Sequence, residues 1–459
     1  MKYITFLILV FSSLTFSQQS NTILVVGDSL IGRNENGEMV REVIGHVVLN
    51  QGKVRITCDR AIQFLSQNNA ELIGNVIATQ ENITITTPKG YYYGNQKRAE
   101  SISGMMLNDK KVILTAHSGE YFFDEDRAHF VDSVKLYDTT TTLTSNEMIY
   151  FQKENRMISM GNVQVVDNEN VIKADSLEYY RYTKITFAFN NVSIRNSVNN
   201  LIIYGDHLED YDLESKTIID KNPLLIQFDT TFVTSVDSVS GDTIQTATED
   251  TLLIKSMYME AWRDTINKFI AMDSVRILRK SFASKNDYTL YLRNENKILT
   301  YKAKANDVAP VLWYDNSQLS GDSVAIFLTE NKIKSLEVYR NAFILSQSLL
   351  YPQRFDQIAG EKVIIDFAEQ GINKTDVFGN VLSIYYMYEQ DEPNGLTKSS
   401  SQTASIRFED KKVSEVRLYG SPMSEFHPEN MVTGKETSFV LPQYVFFEDR
   451  PVKQDFLIK

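Results

Sequence analysis

The sequence predicts an all-β protein in which short antiparallel strands, cut from a repeat of about 29 residues, stack on one another. Three observations point there. The first is punctuation: Gly45-His46-Val47, Gly74-Asn75-Val76, Gly104-Met105-Met106, Asp132-Ser133-Val134, Gly161-Asn162-Val163 and Asn190-Asn191-Val192 succeed one another at steps of 29, 30, 28, 29 and 29 residues. The second is a marker in phase with it: Cys58-Asp59-Arg60-Ala61, Thr87-Pro88-Lys89-Gly90, Ala116-His117-Ser118-Gly119, Ser145-Asn146-Glu147-Met148, Ala174-Asp175-Ser176-Leu177 and Gly205-Asp206-His207-Leu208. Most are followed by an aromatic pair, as in Tyr91-Tyr92, Tyr121-Phe122, Tyr150-Phe151 and Tyr179-Tyr180. The third is the filling. Ile83-Thr84-Ile85-Thr86, Val163-Gln164-Val165 and Val192-Ser193-Ile194-Arg195 alternate apolar and polar residues with the period of a strand.

Taken along the chain, residues 1–17 read as a cleavable signal peptide. Lys2 gives the positive start, Tyr3 to Phe16 an apolar run too short to span a bilayer, and Thr15-Phe16-Ser17 a cleavage site before Gln18. Residues 18–228 are the regular β-repeat region. The glycine of each marker suits a turn or bulge that a Cβ disfavours, and the recurrent Asp suits a side-chain-capped turn. Residues 229–251, rich in Thr, Ser and Asp, read as an exposed loop or linker. Strand patterning returns over 252–388, a second β-repeat region, with Asp273-Ser274-Val275, Gly321-Asp322-Ser323-Val324, Gly360-Glu361-Lys362-Val363 and Gly379-Asn380-Val381 as looser echoes. Residues 389–405 read as a second loop turning at Pro393-Asn394-Gly395, and 406–459 as a C-terminal β module.

Composition narrows function. The net charge of −12 argues against nucleic acid, which needs a basic stripe, and against broad docking on an anionic membrane. The lone cysteine, Cys58, shares the parity of Val54 and Ile56 and reads as a small core residue. His46, His117, His129, His207 and His427 lack metal-ligand spacing, so neither metal nor cofactor is expected. Nucleophile elbows, phosphate loops and dinucleotide fingerprints are absent from the sequence, and no enzyme activity is expected. Carboxylates such as Asp124 and Asp126 read as solvated turns. Tyr91-Tyr92-Tyr93 and Tyr385-Tyr386 read as cross-strand packing before sugar platforms.

Alternation places Val47, Leu49, Val76, Val134, Leu136, Val163, Val165, Val192 and Ile194 on one side. Stacking turns them into an apolar strip, roughly 55 Å long if each of the six repeats adds a strand pair at about 4.8 Å per strand. Periodicity alone leaves two readings of that strip open: a closed core, or a groove that accepts acyl chains at roughly 0.8 kcal/mol per buried CH₂.

The phased Gly-Asn-Val motifs at Gly74, Gly161 and Gly379, with Ala174 to Leu177 and the N-terminal signal, resemble the OstA-like family, which includes periplasmic lipopolysaccharide-transport proteins of the LptA type. The resemblance is clearest from Gly27 to Phe228 and weaker beyond, reaching Arg450-Pro451. It implies a jellyroll of two sheets folded into an open V with lipid A chains in the crease, and no catalysis. It also implies a periplasmic location, in contact with the outer membrane, and partners that are lipopolysaccharide and other envelope transport components. Joining would be by β-strand pairing, including head-to-tail self-association. The edge expected to join is Thr22, Ile23, Leu24, Val25 and Val26, together with strands near Tyr444 to Phe447. The alternative is a structural or scaffold β-repeat protein of the envelope without lipid cargo.

Overall fold

The computed structural model describes residues 22–457 apart from 36, 237–242, 303, 305–307, 331, 369–370 and 411. The expected signal segment, residues 1–17, lies outside the described residues. Among the described residues strand follows strand in antiparallel pairs, with helix confined to single turns such as Glu429–Val432. The chain divides into two compact units, residues 1–161 and 162–459.

In the first unit the long strands Glu38–Gln51, Val54–Phe64, Asn69–Gln80, Ile83–Tyr93, Arg127–Asp138 and Thr141–Phe151 each turn a corner near the middle. The register shows how. Pairing passes from Ile44↔Arg60 to Val47↔Cys58, leaving Gly45 and His46 opposite Asp59 alone. It passes likewise from Val131↔Glu147 to Val134↔Ser145, around Asp132 and Ser133. The doubled residues are left-handed: φ is +77° and +44° at Gly45 and His46, +75° and +46° at Gly74 and Asn75, and +64° and +57° at Asp132 and Ser133. Two left-handed residues set against one make a bulge that bends the strand and re-aims its second half.

The two sequence markers are therefore the two sides of one corner. The Gly-x-Val strand carries the bulge, and the Asp of the neighbouring strand caps it. Asn75 Nδ2 donates to Asp59 Oδ2 at 2.9 Å, and His46 Nδ1 lies 2.8 Å from Asp28 Oδ2. Where the chain cannot bend it breaks: Arg98–Ser101 and Met105–Asn108 flank Gly104, and Ile113–Ala116 and Ser118–Phe122 flank His117.

Successive corners divide the sheet of this unit into two limbs that fold onto each other. Their facing rows form its core. On one limb Ala70↔Tyr92↔Ala99↔Tyr121↔Ala128↔Tyr150 pair in line, so each large ring lies between two alanines that leave it room. On the other, Val47, Leu49, Ile56, Ile85, Leu107, Leu114 and Val134 are all buried. Fully buried side chains of this size contribute about 1.5–3 kcal/mol each.

The second unit repeats the corner. Asn190 and Asn191, Asp273 and Ser274, Arg340 and Asn341, and Gly379 and Asn380 all have positive φ. Asn191 donates to Asp175 at 2.8 Å, Asn341 to Asp322 at 3.2 Å and Asn380 to Glu361 at 3.1 Å. The looser echoes in the second half are thus the same device at uneven intervals.

Three expectations fail against the structure. The described part of the segment expected as a linker, residues 229–236 and 243–251, is strand instead: Leu224–Val236 and Thr243–Lys255 pair from Leu224↔Lys255 to Val236↔Thr243. Threonine and valine are strand formers, and polar composition alone does not end a ladder. Residues 389–405 are not a loop either. The turn is Gln390-Asp391, both left-handed, and the strand Glu392–Glu409 absorbs Pro393-Asn394-Gly395. Nor is Tyr444–Phe447 a strand.

After His427 the chain becomes a strap across the second unit, and two glutamine side chains stand in for strand partners. Gln357 donates to the Phe439 carbonyl at 2.9 Å and accepts from the Leu441 N–H at 2.8 Å. Gln318 does the same for Val445 and Phe447, at 2.8 and 2.9 Å. Arg450 donates to the carbonyls of Asp315 and Ser281 at 2.6 and 2.7 Å. Val432, Leu441 and Phe456 fix the strap by burial.

Candidate lipid groove

The residues expected to form an apolar strip differ in exposure between the two units. In the first unit Val47, Leu49, Val76, Val134 and Leu136 are 0–4% exposed and packed between the limbs. The void beside Val76, bounded by Leu72, Ile85 and Met105, is about 10 Å³, room for one water at most. A wider cleft of about 760 Å³ opens at the corner, lined by Asn75, Ile77, Pro88, Met106 and Thr115. In the second unit Val163 and Val192 are buried, whereas Val165 and Ile194 are half-buried.

That change marks a stretch of the second unit. On Asn170–Tyr180, Ile185–Asn196 and Leu201–Tyr211 the register aligns Ile172↔Ile194↔Ile203. All three are only half-buried, as is Leu201, two residues along the same face as Ile203. Further along the second unit the apolar faces are packed: Leu225, Ile254, Met259, Phe269 and Ile277 form one cluster, and Leu312, Val324, Val338, Val363 and Val377 another. Of the nine groove candidates, seven are buried, and Val165 and Ile194 are half-buried.

Along the rim of the first unit lies a feature that hydropathy did not reveal. The Tyr92 hydroxyl donates to Gln51 Oε1 at 2.6 Å, and Gln51 Nε2 donates to the Gly94 carbonyl at 2.9 Å. Gln80 Nε2 donates to the Phe123 carbonyl at 3.2 Å. The Tyr150 hydroxyl donates to Asp109 Oδ2 at 2.6 Å. Each bond joins a hairpin end of one limb to a hairpin end of the other. The signal was present in the sequence as Gln51, Gln80 and Asp109 spaced like Tyr92, Tyr121 and Tyr150. Tyr121 bonds instead to Asp126 and Gln152 of its own limb, at 3.3 and 3.2 Å. Burial pushes the phenols of Tyr92 and Tyr121 well above the usual tyrosine range, so both stay neutral donors.

The edge candidates sit at the start of the first unit. Leu24–Val26 pairs with Val48, Leu49 and Asn50. Leu24 and Val26 are exposed, Val25 is half-buried, and Thr22 is exposed ahead of the strand. Ile23 is tucked in, its N–H on Asn68 Oδ1 and its carbonyl on Gln63. The next strand, Ser29–Glu35, pairs with Glu38–Ile44 and is exposed throughout. Cys58 is buried and its thiol is pushed up to about 11 by desolvation, the environment of an inert core cysteine. Tyr93 and Tyr91 point to the other face, where the Arg98 guanidinium lies 4.3 Å from the Tyr93 ring centre. Among the described residues no group of three or more His, Cys, Asp and Glu could hold a metal ion, and no helix is long and apolar enough to cross a membrane.

An antiparallel β-roll with an apolar interior between two limbs is the class these features define. Residues 19–175 match the family model described as OstA-like protein. No curated protein matches the chain. Among solved structures, LptH from Pseudomonas aeruginosa, described as the LptA homologous periplasmic component of the conserved lipopolysaccharide transport device, is 16% identical. The match covers 30% of this chain and 81% of that one, with a TM-score of 0.16.

Proposed function

We propose that this protein is a periplasmic lipid-binding component of lipopolysaccharide transport or outer-membrane assembly, and not an enzyme. The half-open row Ile172, Ile194, Ile203 and Leu201 carries the reading: it offers apolar surface on the strip that OstA-like relatives are expected to use for acyl chains. Burial of methylene groups alone holds such a chain, without a polar pocket. The OstA-like match of residues 19–175 supports the lipopolysaccharide class of cargo. The filled first unit favours the scaffold reading for that part of the chain, and the two readings differ in whether lipid is carried at all. Protein purified from its own envelope is expected to release lipid A or lipopolysaccharide on extraction and mass spectrometry. Lipid-free protein from that source sinks the carrier reading and leaves the scaffold.

The edge at Leu24–Val26 and Ser29–Glu35 is the proposed joining surface for envelope partners or a second copy. Unpaired strand edges recruit further strands. Leu24, Val26, Leu30 and Ile31 add exposed apolar contact. Val25→Pro is expected to abolish assembly while leaving the circular dichroism spectrum unchanged. Undiminished assembly of that variant rejects this edge.

A further inference from the structure

We propose that the first unit is a clasped roll: its rim, closed by Tyr92 with Gln51, Gln80 with the Phe123 carbonyl, and Tyr150 with Asp109, parts to admit a hydrocarbon chain between the limbs. The proposal rests on the lipid-carrying reading and adds a gate to it.

Four observations converge. The apolar interior is packed, its rows buried and the void beside Val76 only about 10 Å³, so a chain enters between the limbs only if they separate. The cross-limb bonds recur in register, 41, 43 and 41 residues apart in sequence, which makes them a property of the repeat. All three sit at hairpin ends, where parting exposes the freed groups to water, which replaces the lost partners at small net cost. Gln80 Oε1 is buried without a hydrogen-bond partner, so the seam is incompletely bonded at its middle rung. The hinge is built in as well. Limb meets limb through left-handed bulges at Gly45, Gly74 and Asp132, which set the angle between the limbs. A rim closed by side-chain hydrogen bonds differs from a fused apolar core in that it reopens without exposing hydrocarbon to water, provided hydrocarbon enters as it opens.

The test bridges the rim reversibly. In a full-length Cys58→Ala background, Gln51→Cys and Tyr92→Cys are joined by a reducible bis-methanethiosulfonate spacer, and the protein is offered a diazirine-bearing C16 fatty acid. Photolabelled peptides are mapped by mass spectrometry. Bridging is expected to cut labelling of first-unit peptides around Leu107 and Val134 at least tenfold, with recovery on reduction, while labelling at Ile194 and Ile203 stays unchanged. The unbridged double variant, with one rung removed, is expected to label in the first unit at least as strongly as the parent. First-unit labelling that is indifferent to the bridge overturns the clasp but leaves the carrier reading standing. An absence of labelling anywhere in the chain overturns both.

Discussion

Replacing Glu429 by alanine is expected to destabilise the second unit by about 3 kcal/mol and to free the C-terminal strap. Arg354 is 3% exposed and donates to Glu429 in a forked pair at 3.1 and 2.5 Å, with Glu436 further off at 3.5 Å. Glu429 also accepts from the Gly395 N–H at 3.0 Å, so it ties the strap to a strand as well as to the arginine. Removing it leaves a guanidinium that burial has already stripped of water with the more distant Glu436 alone. The cost comes mainly from that under-compensated charge, so taking the charge away as well relieves it. The double variant Arg354→Met with Glu429→Gln is expected to melt above Glu429→Ala alone. Equal melting temperatures contradict the buried-charge account.

The same pair sets an acid limit. The Arg354 guanidinium holds the Glu429 carboxyl below the usual glutamate range. Its contribution is full above the unfolded value of about 4.3 and is lost as pH falls through the lower folded value. Protease sensitivity of the strap is therefore expected to rise in that acidic window in the parent protein. In Glu429→Ala it is expected to be high at every pH.

Gly74→Val is the second large effect, at about 3 kcal/mol for the first unit. A side chain there must adopt φ near +75°, and its Cβ overlaps the Asp59 carboxylate. Asp132 and Ser133 show that a corner accepts left-handed non-glycine residues, so the strain at Gly74 comes from the Asp59 cap as much as from the backbone. Adding Asp59→Ala to Gly74→Ala is expected to recover part of the loss, less about 1 kcal/mol for the cap bond from Asn75. Gly32→Val, with no atom within 4 Å of its Cβ, is expected to change little. Urea midpoints decide the comparison. A Gly74→Val midpoint equal to that of Gly32→Val removes the corner from the account.

The corners were the most legible part of the fold. Gly74-Asn75-Val76 and Asp59 recur in phase because one geometry, a left-handed bulge against a capping carboxylate, needs those residue types. The buried valines were equally plain, since parity places them. Parity does not say how far the facing limb stands off, so Val134 and Ile194 looked alike although one is sealed and the other half-open. The rim bonds escaped because Gln51 and Tyr92 are distant in sequence and each is ordinary alone. The strap escaped for a similar reason: Tyr444 to Phe447 alternates like a strand, but its hydrogen bonds come from the side chain of Gln318.

The central claim is that the space between the limbs holds hydrocarbon. Site-specific photocrosslinking in the living envelope tests it most directly, with the probe at Ile194 or Val163 on the inner row and at Arg195 on the outer face. Lipid adducts at the inner positions and none at Arg195 are the expected result. Inner positions that never capture lipid, or capture it no more than Arg195, contradict it.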